Sequence, residues 1–134
     1  MKIISTKNAP AAIGLYVQGI NTGNMVMTSG QLPVDPLSGT MSAAIEVQAY
    51  QSLENVRAIV EAAGLTVGNI IKTTVYVKDL NDFSVVNVVY EAFFTKHCAP
   101  FPARSCVEVA RLPKCNGSQS KSPGLAISAI FGSD

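Results

Sequence analysis

The sequence predicts an α+β domain in which two helices cover one face of a mixed, six-stranded sheet. Two segments carry apolar residues at three- or four-residue spacing, which is typical of amphipathic helices. Six short segments have the alternation or the β-branched residues of strands, and they occur in the order strands, helix, strand, helix, strands. A chain of 134 residues has the usual size of one domain, so we expect residues 1–134 to form a single domain.

The first three strands are predicted at residues 2–5, 16–20 and 25–29. The turn at residues 21–24 reads Asn-Thr-Gly-Asn, which suits a hairpin between the second and third strands. Residues 31–41 contain two prolines and a glycine and are predicted to form a loop.

The first helix is predicted over residues 43–63, and Gly64 supplies the left-handed residue that ends it. A strand rich in β-branched residues follows at residues 69–78. Its alternation places Ile71 on the same face as Thr73, Val75 and Val77. The apolar stripe of the first helix consists of Ile45, Ala49, Leu53, Val56, Val60 and Ala63.

The second helix is predicted to begin at Asn81 or Asp82, either of which can cap it, and to end before Pro100. The last two strands are predicted at residues 104–110 and 125–131. The residues of the second helix that should face the core are Phe83, Val86, Tyr90, Phe93 and Phe94.

Arg104 lies inside a segment with the pattern of a half-buried strand. Alternation puts Arg104 on one face with Cys106 and Glu108. The opposite face, which suits a core, carries Ala103, Ser105, Val107 and Val109. A guanidinium in that position can bind a carboxylate through two parallel hydrogen bonds. The alternative is a surface arginine on an edge strand.

Several motifs resemble those of the RidA/YjgF family of imine deaminases, in the same order along the chain. They are residues 13–18 (Ile-Gly-Leu-Tyr-Val-Gln), 26–33 (Val-Met-Thr-Ser-Gly-Gln-Leu-Pro), 54–56, 61–64, 86–94 and 101–114. The resemblance implies a YjgF/chorismate-mutase-like fold and a homotrimer whose sheets form a central barrel, with ligand clefts between subunits. It implies hydrolysis of 2-iminobutanoate or 2-iminopropanoate to a 2-keto acid and ammonia, without a cofactor or a metal.

The resemblance also implies a set of site residues. Arg104 and Cys106 are the candidate catalytic residues: Arg104 binds the substrate carboxylate, and the backbone at Cys106 contacts ligand or water. Gly30 allows its backbone to approach the ligand closely. Tyr16 and Asn87 are further substrate-binding candidates, although Tyr16 could instead pack at an interface and Asn87 could bond to nearby backbone.

A cysteine nucleophile is disfavoured because His97, the only histidine, gives no sign of reaching Cys106. We expect His97 to end the second helix, where a cation is favourable, and Glu108 to have a structural role.

One departure from the family concerns the last strand. The family's water-activating glutamate lies in a run typically written Ile-Glu-Ile-Glu-Ala, which corresponds here to residues 125–129, so Ala126 takes its place and Ser128 follows on the same face. Alanine cannot activate water, and loss of an acid/base typically slows a reaction about 100- to 10,000-fold. The sequence therefore predicts either a weakened deaminase or a non-catalytic protein that binds small 2-keto acids.

Composition bounds the remaining possibilities. Charged residues make up 14% of the chain and the net charge is +1, so nucleic acid is not expected as a primary partner, whereas burial of surface between subunits is. Three cysteines without a Cys-x-x-Cys pair, namely Cys98, Cys106 and Cys115, predict neither a disulfide framework nor a zinc site. No apolar run is long enough for a membrane helix and no signal segment stands out, so a cytoplasmic protein is expected.

Overall fold

The structure, a computed structural model, describes residues 1–113 and 123–132. Cys115 and most of the polar stretch that precedes the last strand lie outside the described residues. The helices are α1 (Ile45–Ala62) and α2 (Phe83–Lys96). The strands are β1 (Lys2–Ile4), β2 (Gly19–Asn21), β3 (Met25–Thr28), β4 (Ile70–Val77), β5 (Ala103–Glu108) and β6 (Leu125–Gly132).

The six strands form one sheet in the order β1-β2-β3-β6-β4-β5. All neighbouring pairs are antiparallel except β4 and β5, so the sheet is mixed as predicted. Both helices pack on the same face, which we call the helix face, and the opposite face carries no helix and is called the open face. The core between sheet and helices includes Val26, Val75, Ile127, Phe93 and Phe94. The predicted α+β class is confirmed.

Helix α1 buries four of the six residues of the predicted apolar stripe, while Ile45 and Ala63 at its two ends are partly buried. Gly64 follows at a φ of 81°. This helix also buries an amide that the apolar pattern does not reveal. The Nδ2 of Asn55 donates to the carbonyl oxygens of Leu32 and Val34 at 3.0 Å each. Because an unpaired buried amide is costly, these bonds fix the loop between β3 and α1 against the helix.

The predicted start of the second strand was wrong, whereas the predicted start of the second helix is confirmed. Strand β2 begins at Gly19. The side chain of Gln18, just before it, turns towards the preceding loop, where its Nε2 donates to the carbonyl oxygen of Pro10 at 2.7 Å. Asp82 is the N-cap residue of α2, as one of the two predicted alternatives had it, but its side chain makes no capping hydrogen bond. Instead, the carboxylate of Asp79 accepts a hydrogen bond from the backbone N–H of Asn81 and caps a short 3-10 turn ahead of the helix.

The face assigned to the core in the Arg104 strand was also wrong. Strand β5 is the last strand of the sheet, and Val107 on its open face is 43% exposed, whereas Cys106 on its helix face packs against the core. Ala103 and Ser105 are likewise exposed on the open face. Alternation correctly separated the two sets of residues, but only the position of α2 determines which set is covered.

Strand β4 departs from simple alternation at its start. The register with β6 shifts between Ile70 and Lys72, and Ile71 is 50% exposed. Its predicted companions Thr73, Val75 and Val77 are buried. An irregularity of this kind moves one side chain out of the alternating pattern.

Candidate functional site

One stripe of α2 faces Arg104. Phe83, Asn87 and Tyr90 are separated by four and three residues, so they lie one above the other along the helix. Arg104 is opposite Thr73 in the parallel pairing of β4 with β5, and this register places its side chain on the helix face beside that stripe. We call these five residues the Arg104 cluster.

The guanidinium has three contacts within the Arg104 cluster. An Nη1 N–H of Arg104 donates to Oδ1 of Asn87 at 2.7 Å. The Cζ atom of Arg104 lies 4.8 Å from the centre of the Tyr90 ring and 5.4 Å from that of Phe83. These are distances at which a cation is attracted to the electron-rich face of a ring.

Tyr90 is itself held in place by a hydrogen bond to β4. Its hydroxyl and Oγ1 of Thr73 are 2.6 Å apart, and both residues are buried. Burial raises the pKa of Tyr90, against the opposing effects of the Thr73 hydrogen bond and the Arg104 charge. The phenol therefore stays neutral in the neutral pH range and presents an uncharged ring to the guanidinium.

Arg104 is an exposed residue on an edge strand, as the alternative interpretation had it. Its guanidinium is nevertheless ordered by one hydrogen bond and two aromatic rings. A guanidinium has five N–H donors. Within residues 1–113 and 123–132 its hydrogen-bond partner is Asn87, so the remaining donors can bind a ligand such as a carboxylate.

Cys106 lies two residues further along β5 on the same face as Arg104. Burial raises the pKa of the Cys106 thiol, and the nearby Arg104 charge only partly offsets that effect. His97 ends α2, as predicted, and its ring packs against Phe93 with the centres 4.8 Å apart. Since only the thiolate is a strong nucleophile, these features disfavour cysteine catalysis.

A second group of predicted residues lies around a cleft of about 790 Å³ on the open face. Tyr16 and Gly30 come from the two loops that flank β2 and β3, and Ala126 comes from β6. A Cβ atom at Gly30 would meet no atom within 4 Å, so nothing inside the protomer requires glycine there. Polar or charged side chains in the same lining are those of Tyr16, Gln18, Ser29, Gln31, Asp35, Tyr76 and Arg111.

The structure thus divides the predicted site residues between two faces of the sheet. Arg104 and Cys106 are on the helix face, with Asn87 on the helix opposite them. Tyr16, Gly30 and Ala126 line the open-face cleft, and Arg104 is not part of that lining. The two groups cannot meet around one small molecule within a single protomer.

Sequence reasoning missed three residues of the Arg104 cluster and most of the polar lining of the cleft. Phe83, Tyr90 and Thr73 were assigned to the core or to a strand, although the spacing of positions 83, 87 and 90 already placed two of them beside Asn87. Arg111 belongs to the motif at residues 101–114 but was not named as a cleft residue. Glu108 has the expected structural role, because its Oε1 accepts a hydrogen bond from the backbone N–H of Leu80 at 2.9 Å.

Among residues 1–113 and 123–132, no group of three or more His, Cys, Asp or Glu side chains is arranged to hold a metal ion. Over the same residues, neither helix combines the length and the apolar character that crossing a membrane requires.

Comparison with known proteins gives consistent results. The family model described as Endoribonuclease L-PSP matches residues 6–117. A Salmonella typhimurium protein named 2-iminobutanoate/2-iminopropanoate deaminase is 71% identical over 113 residues, covering 84% of this chain and 88% of that protein. Two solved E. coli structures cover all of both chains with a TM-score of 0.93: the YjgF gene product at 60% identity, and TdcF with bound serine at 54%. The chain therefore belongs to the RidA/YjgF family, which the matching family model describes as Endoribonuclease L-PSP.

Proposed function

We propose that this protein hydrolyses small 2-imino acids, 2-iminobutanoate and 2-iminopropanoate, to 2-keto acids and ammonia. The observation that carries the proposal is the guanidinium of Arg104, which Asn87 and two aromatic rings hold with donors still available. The name of the relative that is 71% identical supports the same reaction. TdcF with bound serine supports a site for a small molecule that carries a carboxylate.

The chemistry makes modest demands on the protein. Water adds to the imine carbon and gives a carbinolamine, whose nitrogen then accepts a proton. The C–N bond breaks, ammonia leaves, and the hydroxyl oxygen becomes the keto oxygen as it loses its proton. The protein need only hold the carboxylate, place the water and support the proton transfers.

Each candidate residue has a role in this scheme. Arg104 binds the carboxylate as a bidentate partner, and Asn87 orients Arg104. The backbone at Cys106 and at Gly30 contacts ligand or water. Tyr16 contributes its hydroxyl from the open-face cleft, whose lining it shares with Gly30.

We further propose that the site forms between copies of the chain in a homotrimer whose sheets enclose a central barrel. The division of the site residues between two faces supports this, because Arg104 of one copy can meet Tyr16 and Gly30 of the next. The number three comes from the family resemblance. A cytoplasmic location, a single domain over residues 1–134 and the lack of a cofactor stay predictions from the sequence.

An apolar row across the open face supports self-association. Register pairs Ile3 with Ile20, Ile20 with Met27 and Met27 with Ile130, so four strands contribute one continuous row. Ile3 is 66% exposed and Met27 is 39% exposed in the single chain. Covering such a row against a second copy removes apolar surface from water.

A second candidate function is binding of 2-keto acids without turnover. Ala126 favours it, because this residue lines the open-face cleft where the family's glutamate would activate water. The description of the family model names an endoribonuclease. A net charge of +1 supplies no field to attract RNA, so we do not assign RNA cleavage to this chain.

The test is ammonia release from freshly generated 2-iminobutanoate, with the buffer rate subtracted. We expect the protein to accelerate release, and Arg104→Ala to lower kcat/KM about 100-fold because charge-assisted hydrogen bonds are lost. Arg57→Ala is the matched control, since Arg57 is paired with Glu54 and Glu61 on the outer side of α1. A rate equal to buffer at high protein would exclude the enzyme, and calorimetry with 2-ketobutyrate then decides whether binding alone remains.

A further inference from the structure

We propose that Phe83 and Tyr90 are positioning residues for Arg104, fixing the plane of its guanidinium so that the free N–H groups meet the substrate carboxylate in one orientation. The inference rests on the proposed function for its ligand. It assigns a role in ligand binding to Phe83 and Tyr90, whose side chains would otherwise be regarded only as packing residues of α2.

The geometry joins two elements that are distant in the chain. Both rings come from the same stripe of α2, one on either side of Asn87, while the cation comes from β5. The cation lies 4.8 Å from one ring centre and 5.4 Å from the other. Asn87 then fixes rotation within that arrangement by accepting a hydrogen bond from Nη1 at 2.7 Å.

An exposed arginine would otherwise sample many rotamers. Ordering such a side chain when the ligand binds costs affinity, so ordering it beforehand increases affinity without any new contact to the ligand. Guanidinium suits this arrangement because it is planar, weakly hydrated and able to stack on rings while its edges donate hydrogen bonds.

Tyr90 is fixed in turn by the strand next to β5. Its hydroxyl bonds to Thr73 at 2.6 Å, and Thr73 is the direct partner of Arg104 in the β4–β5 register. Tyr90 is only 5% exposed and Thr73 only 1% exposed. Arg104 pairs with Thr73, Thr73 bonds to Tyr90, and the Tyr90 ring contacts Arg104. Together these three contacts prevent the Tyr90 ring from tilting away from the guanidinium.

The first experiment replaces Phe83, which is only half-buried and so is the safer position for folding. We expect Phe83→Leu to raise KM, and the Kd for 2-ketobutyrate, about 3- to 10-fold with kcat within about twofold. Phe83→Tyr restores a ring and should stay within about twofold of wild type in all three values. Two outcomes would overturn the proposal. In one, Phe83→Leu keeps the wild-type KM and Kd; in the other, Phe83→Tyr is as impaired as Phe83→Leu.

The second experiment tests whether the effect passes through the guanidinium. In an Arg104→Lys background the cation is a flexible point charge without a plane, so we expect Phe83→Leu to change KM by less than about twofold. The same several-fold change in both backgrounds would mean that Phe83 acts by another route, and would contradict the inference.

The third experiment requires neither substrate nor activity. ¹⁵N relaxation of the Arg104 Nε–H group reports its order in the free protein, and we expect the order parameter to fall below about 0.6 in Phe83→Leu, the range of flexible groups. Equal order in wild type and Phe83→Leu would refute positioning even if the protein is a deaminase. If the wild-type protein neither hydrolyses the imine nor binds 2-ketobutyrate, but Phe83→Leu still lowers the order parameter of Arg104, only the proposed function is refuted.

Discussion

Tyr76 on β4 and Ala126 on β6 are direct cross-strand partners on the open face of the sheet. Both residues line the open-face cleft, whereas Arg104 projects from the other face. Within one chain, the thickness of the sheet thus separates Ala126, the proposed position of the family's water-activating glutamate, from Arg104, the proposed carboxylate-binding residue. An active site that uses both positions requires two copies.

Restoring the carboxylate is the most direct test of mechanism. Because Ala126 lines the cleft, Ala126→Glu places an acid/base where water can be activated, and we expect the hydrolysis rate to rise at least about 10-fold. Ala126→Gln is the matched control, with nearly the same size and no acid/base function, and should leave the rate unchanged. If both variants behave alike, the proton transfers do not depend on this position.

Gly30 is expected to matter for ligand binding and not for folding. A Cβ there meets nothing within 4 Å inside the protomer, so Gly30→Ala should keep or slightly raise the melting temperature. The same methyl group would project into the proposed cleft and raise KM several-fold. Gly68→Ala, where a Cβ meets only Oγ1 of Thr66 at 3.6 Å, is the control. Unaltered kinetics in Gly30→Ala would remove Gly30 from the site.

The apolar row on the open face predicts the effect of a charge at its centre. Met27→Glu would bury a carboxylate between copies, so we expect loss of the trimer and of imine hydrolysis together, measured by light scattering and ammonia release. Val47→Glu, on the exposed side of α1, should leave both unchanged. A Met27→Glu protein that remains trimeric would show that the open face is not the interface.

The raised pKa of Cys106 predicts how its alkylation depends on pH. Since burial favours the neutral thiol, iodoacetamide should modify Cys106 more slowly than the exposed Cys98 at pH 8, and the Cys106 rate should still be rising above pH 9. Mass spectrometry of a Cys115→Ser variant separates the two sites. If Cys106 is modified faster than Cys98, its thiol is ionised, and a nucleophilic role for this residue would have to be considered again.

The helix pattern shows what the sequence can predict well. Apolar spacing along α1, together with Gly64, gave nearly correct bounds because periodicity and a left-handed stop are local properties. The strand containing Arg104 shows the limit. Alternation grouped Arg104 with Cys106 and Glu108 correctly. The opposite set was wrongly assigned to the core, because no local signal says which face a helix will cover.

The sequence alone determined the fold class, the family and Arg104 as the candidate site residue, since these depend on periodicity, motif order and side-chain chemistry. Tertiary structure decided which residues surround that guanidinium. Phe83 and Tyr90 reach it only because β4 and β5 pair in parallel and α2 packs across them. The spacing of residues along the chain does not predict such long-range pairing. The same pairing decided that Ala126 and Arg104 lie on opposite faces of the sheet, which is the reason for proposing a site between two copies.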